Sequence, residues 1–104
     1  MTTIGLAPEA LAEVAEAAAW YESQRAGLAA EFLGEIDRGL SMLMTRPASF
    51  PRLVDVAPDL EIRRMLLPRF PYAVVFLQLP NEIRVIAVAH ARRQPGYWLG
   101  RVRP

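Results

Sequence analysis

Cysteine and lysine are both missing from this 104-residue chain, and histidine occurs once. Without cysteine there is no disulfide, no thiolate nucleophile and no zinc site built on sulfur. With His90 the only imidazole, a metal site made wholly of protein ligands is not expected. Long apolar runs are lacking too. Although 53% of the residues are hydrophobic, none of the runs approaches the ~20 residues needed to cross a bilayer as a helix. The N-terminus carries no basic segment followed by an apolar stretch, so a secretory leader is not expected. These absences describe a cytoplasmic protein free of metal and cofactor, with no membrane partner. The length suits a single domain over residues 1–104 with a real core, and with a loosely held tail from about residue 99.

What is present is arginine. All twelve cationic side chains are arginine, a bias that G+C-rich coding explains at least as well as selection for bidentate phosphate or carboxylate contacts. Their clustering is harder to explain by composition. Residues 1–59 carry nine acids and four arginines, a balance of −5, whereas residues 60–104 carry two acids and eight arginines, a balance of +6. The overall charge of +1 hides this division, which suits an anionic target or an acidic partner.

The periodicities place the elements. Thr2–Leu6 reads as a short edge strand weakened by Gly5. Pro8 fits the first turn of a helix and Glu9 its positive end. From there Leu11, Val14, Ala15, Ala18 and Tyr21 recur at helical spacing, and the helix should stop near Gln24 with Gly27 in the connection. A second helix is predicted over Leu28–Thr45, its stripe being Ala29, Phe32, Leu33, Ile36, Leu40 and Leu43. Gly34 and Gly39 each cost about 1 kcal/mol against alanine and make sense where two helices pack closely. Residues 47–59, with three prolines, form a loop holding one short extended segment at Leu53–Val56. Leu60–Leu67 is an exposed strand. Tyr72–Leu79, apolar on both faces, is a central strand, and Ile83–Ala89 returns after a turn at Pro80–Glu82. The last strand needs a second neighbour, which only the N-terminal segment can supply. The result is an α+β fold, β-α-α-β-β-β, with a helical hairpin on one face of a small, mostly antiparallel sheet. The periodicity leaves the structure of Ala91–Pro104 open.

Three phrases in this order, AAAWYESQRAGLAAEFLGEID, RRMLLPRFPYAVVF and AVAHARRQPGYW, resemble the RelE/ParE toxin superfamily of bacterial type II toxin–antitoxin systems, most closely the ParE-like branch often named plasmid stabilisation proteins. The resemblance covers about residues 8–98. It implies a growth-inhibiting toxin neutralised by a cognate antitoxin, acidic and partly disordered, whose C-terminal region lays a helix on the hairpin or adds a strand to the sheet. One branch of the superfamily cleaves messenger RNA on the ribosome, and the other poisons DNA gyrase. In the nuclease branch the tyrosine that opens the central strand is followed by arginine; here Tyr72 is followed by Ala73. Leu66 and Leu67 stand where further basic side chains would help hold RNA, and Ala91 lies where one follows the last strand. The incomplete set favours the gyrase branch. A ribosome-dependent endoribonuclease and a degenerate member that only binds its antitoxin are the alternatives.

A nuclease would have to use Arg64, His90, Arg92, Arg93 and Tyr97, with the arginines holding phosphate and the others moving protons. Contacts to a target or antitoxin are assigned to Arg63, Arg64, His90, Arg92, Arg93, Tyr97 and Trp98. Each has a plainer reading. His90 positions the turn that follows it, and one of Arg63 and Arg64, which point to opposite faces, pairs with an acid. Tyr97 and Trp98 pack back to seal a core rather than stack on a base. Trp20 and Tyr21 pack at the hairpin, and Arg101 and Arg103 belong to a solvated tail.

Overall fold

The computed structural model describes residues 2–102; the proposed role of Arg103 falls outside them. Strand β1 (Thr3–Leu6) leads into helices α1 (Pro8–Gln24) and α2 (Leu28–Thr45), followed by strands β2 (Ile62–Leu66), β3 (Tyr72–Gln78) and β4 (Glu82–His90). The sheet order is β1-β4-β3-β2, with β1 parallel to β4 and the other pairs antiparallel. The N-terminal strand therefore does supply the second neighbour of β4. Gly27, at φ 90°, makes the left-handed turn between the helices, where a side chain would be strained.

The helices pack on one sheet face. Phe32, Ile36 and Leu43 from α2 and Ala10, Ala17 and Tyr21 from α1 meet Val74, Phe76, Val85 and Val88. The buried face of α1 is rotated from the one the leucine spacing suggested: Leu11 is 55% exposed, and the alanines lie inward instead. Small side chains let α1 lie close against β4, which a leucine stripe would prevent. On α2, Leu33 is likewise exposed. Trp20 is 58% exposed and packs only edge-on against Tyr21, whereas Tyr21 meets the rings of Phe32, Phe70 and Tyr72. Gly39 does serve close approach, but to the sheet rather than the other helix: a Cβ there would collide with Cε of Met65 on β2.

The opposite sheet face is covered as well, which explains why β3 is apolar on both sides. Ala57, Ile62, Val75, Ile86, Ala87 and Trp98 form a second core, closed by Leu53, Val56, Leu60, Tyr97, Leu99 and Val102. The proline-rich loop and the C-terminal segment thus act as a third layer. Within the loop the extended contact falls at Arg52, which bridges Arg63 of β2, rather than at Leu53–Val56. Leu53 N–H donates to the Ile62 carbonyl and Arg64 N–H to that of Pro51, which covers part of the β2 edge. Leu99–Arg101 forms a 3₁₀ turn, so the expected loose tail is a packed segment through Val102.

Candidate functional site

The centre of the arrangement is the outer edge of β4. β1 pairs with β4 only from Glu82 to Val85, because the chain leaves the sheet at Ala7 to enter α1. Beyond that point β4 has no neighbouring strand on this side among the described residues. A bulge falls here too, since Phe76 faces Val85 while Val75 faces Ala87, leaving Ile86 as an extra residue. Unpaired main-chain groups buried at such a place need partners. Two side chains provide them. Val88 N–H donates to Glu13 Oε1 at 2.9 Å, and the Ile86 carbonyl accepts from Arg101 Nη1 at 3.1 Å.

Glu13 and Arg101 also bind each other, in a two-pronged pair at 2.9 and 3.0 Å, and both are largely shielded from solvent. Tyr97 Oη donates to the second carboxylate oxygen at 2.5 Å. Burial by itself would raise the Glu13 carboxyl, but the hydrogen bonds from Arg101, Tyr97 and Val88, with the Arg101 charge, hold it below the ordinary carboxylate value. Tyr97 moves the other way: burial, its bond to Glu13 and the Glu13 charge push the phenol up to about 12, against opposing effects of Arg93 and Arg101. A shielded, fully hydrogen-bonded network of this kind rigidifies what it joins, here α1, β4 and the C-terminal segment.

This cluster gives the plainer readings of the sequence their physical form. The Tyr97 hydroxyl is committed to Glu13, and the Arg93 guanidinium lies 3.7 Å from the centre of its ring. Trp98 is 3% exposed in the second core, so it cannot stack on a nucleic-acid base. His90 ends β4 opposite Tyr72, its ring edge-on to that tyrosine, and its Nδ1 accepts the Arg92 N–H at 3.0 Å. It shapes the turn that presents Arg92 and Arg93, both exposed. Arg101 is the correction: expected as a solvated tail residue, it is the cation that closes the cluster.

The two arginines of β2 divide as their alternation requires. Arg63 is held by the carbonyls of Phe50 and Ala48, by Gln78 and by Glu61, and is structural. Arg64 is exposed, with no side-chain partner among the described residues. It lines a cavity of about 380 Å³ on the sheet face away from the helices, together with His90, Arg93 and Tyr97. Arg64, His90, Arg93, Tyr97 and Trp98 are thereby brought to one place; Arg63 and Arg92 do not line the cavity. Ala73 and Ala89 lie at the base of the same hollow, where a longer side chain from the residue after Tyr72 would project.

Sequence reasoning missed Glu13 and Arg101. A signal existed: Ala10, Glu13 and Ala17 recur at helical spacing, placing a carboxylate among small inward residues. It becomes visible only when the buried stripe is centred on alanine. Nothing local marked Arg101, whose partner lies 88 residues away.

Residues 4–95 match the family model described as ParE toxin of type II toxin-antitoxin system, parDE. Among solved structures, one titled "Chromosomal ParDE TA system from P. aeruginosa" shares the fold at a TM-score of 0.75 and 16% identity, over 88% of this chain and 98% of that one. Comparison with curated proteins gives no match.

Proposed function

Because this chain belongs to the ParE toxin family of type II toxin–antitoxin systems, we propose that it arrests bacterial growth from the cytoplasm by binding DNA gyrase, without cutting RNA, and that an acidic, partly disordered antitoxin holds it in check. The observation that carries the choice is the commitment of Tyr97. A hydroxyl bonded to a shielded carboxylate and raised to about 12 is a poor proton donor near neutrality. His90 Nδ1 is occupied by a main-chain N–H, and the position after Tyr72 offers only a methyl group. What remains exposed is cationic: Arg64, Arg92 and Arg93. Such a surface suits binding to an acidic protein better than acid–base chemistry.

One observation favours the ribonuclease reading, namely that Arg64, His90, Arg93 and Tyr97 share one hollow. Controlled expression separates the two. Under the gyrase reading, growth stops with a DNA-damage response and intact transcripts, purified protein blocks supercoiling, and co-expressed antitoxin restores both. Transcripts cut at codon positions on the ribosome, with supercoiling unaffected, would reverse the assignment. Absence of arrest from a folded, soluble product would make this a degenerate member.

A further inference from the structure

We propose that the hollow beside Arg64 is a recognition pocket for an apolar side chain next to a carboxylate on a partner polypeptide. This inference rests on the cavity and not on the gyrase reading, so either can fail alone. The hollow encloses about 380 Å³, and its walls include Leu53, Val56, Leu66 and Val75 over a base of Ala73 and Ala89. Leu66 is 66% exposed, a position that leaves apolar surface facing water unless something covers it. Among the described residues no Asp or Glu lines the hollow, whereas Arg64 and Arg93 both do, and neither has a carboxylate within ion-pair distance. Glu13 and Glu16 share a smaller cleft with Arg93, but Glu13 is engaged by Arg101 and no ion pair reaches Arg93.

An apolar floor with cations at its rim selects a ligand that is both apolar and anionic. A nucleotide fits poorly because stacking needs an open ring face. Tyr97 is covered by Arg93, Trp98 and Phe70 are buried, and Tyr72 and His90 are held edge-on to each other, with Tyr72 also against Phe32. An aliphatic or phenyl side chain needs no such face and gains from dry contact with leucine, valine and alanine. A carboxylate beside it can accept the paired N–H groups of a guanidinium.

The test uses isotope-labelled full chain, titrated by NMR with N-acetyl-L-phenylalanine and with its uncharged amide. The acid should bind saturably at about 1 mM, shifting Ala73, Ala89 and Leu66. The amide should bind about tenfold more weakly. In an Arg64→Gln, Arg93→Gln double variant, acid and amide should converge to within about twofold; if that variant does not fold, Arg64→Gln alone should still narrow the gap about threefold. Equal binding of acid and amide by the unaltered chain would overturn the proposal. So would tighter binding of adenosine monophosphate, shifts that grow with protein concentration alone, or no saturable shift at the hollow up to about 20 mM.

Discussion

At the scale of single residues, Glu13 and Tyr97 separate a structural network from a catalytic one. Tyr97→Phe deletes one charge-assisted hydrogen bond and leaves the ring packed, so we expect a loss of about 1–2 kcal/mol in urea unfolding. Growth arrest should persist where the variant is folded, because the hydroxyl faces Glu13 and not a target. Arrest lost from a fully folded variant would return Tyr97 to a functional role. Glu13→Gln is the harsher change. It leaves the shielded Arg101 cation without its counter-charge, and about 3 kcal/mol of destabilisation is expected from the same measurement. A value near zero would mean that the pair stabilises little in water and that Arg101 is held by the Ile86 carbonyl instead.

At the scale of elements, the two glycines of α2 look alike in the sequence and differ in the fold. Gly34 would place a Cβ 3.4 Å from the mobile end of Arg38 and from nothing else nearby, whereas Gly39 would drive one into Met65. Gly34→Ala should therefore stabilise by about 1 kcal/mol, the ordinary helical gain. Gly39→Ala gains the same amount but must displace the Met65 thioether, so a net cost of about 1–2 kcal/mol is expected. Thermal melts of the two variants should move in opposite directions; parallel shifts would mean that Met65 yields freely. The elements themselves were legible because their signals are local: Pro8 and Gly27 bracket α1, and residues 72–77 carry an unbroken apolar run. The helix faces were less so. Burial on α1 follows the small residues Ala10 and Ala17, since proximity to β4 outweighs the bulk of Leu11, and a spacing rule cannot tell which stripe the sheet will choose. The third layer was illegible for a related reason: residues 47–60 and 91–102 fold against β3 and β4 through scattered contacts with no period. Of the candidate site, Arg64, His90 and Arg93 could be picked out as residues, but their meeting at one cavity depends on that layer.

At the scale of the whole molecule, charge is less divided than the sequence suggests. Glu13 pairs with Arg101 and Glu31 with Arg69, so acids of the first half neutralise arginines of the second. Arg92 and Arg93 remain exposed on the turn after β4. Changing both to alanine should relieve growth arrest without unfolding the protein, judged by arrest and circular dichroism on the same variant; undiminished arrest would move the toxic surface elsewhere. Stability should form a plateau in pH with two shoulders. The Glu13 carboxyl is depressed in the fold, so its contribution is whole above the ordinary value of 4.5 and disappears as pH falls through the folded value. Glu22 and Glu31, shifted the same way by their hydrogen bonds, add to that acid shoulder. The Tyr97 phenol is raised from 10.0 to about 12, so its contribution is whole below pH 10 and is lost between there and about 12. Burial raises Tyr21 and Tyr72 as well, so melting temperature followed against pH should show a reduced alkaline shoulder in Tyr97→Phe rather than none, with a smaller weakening of the acid shoulder because Glu13 loses one of its hydrogen bonds.

The fastening at Arg101 also sets an order of events while the chain is being made. Glu13 emerges early, and the guanidinium that neutralises it is synthesised 88 residues later. The Val88 N–H, the Ile86 carbonyl and Arg101 belong to one short C-terminal stretch and leave the ribosome almost together, and the sheet face built on Val75 and Ile86 emerges only just ahead of the Trp98 that covers it. A nascent chain of this protein therefore carries Glu13 without its counter-charge through most of its translation, and residues 97–102 cover the sheet face and complete the ion pair in a single closing step.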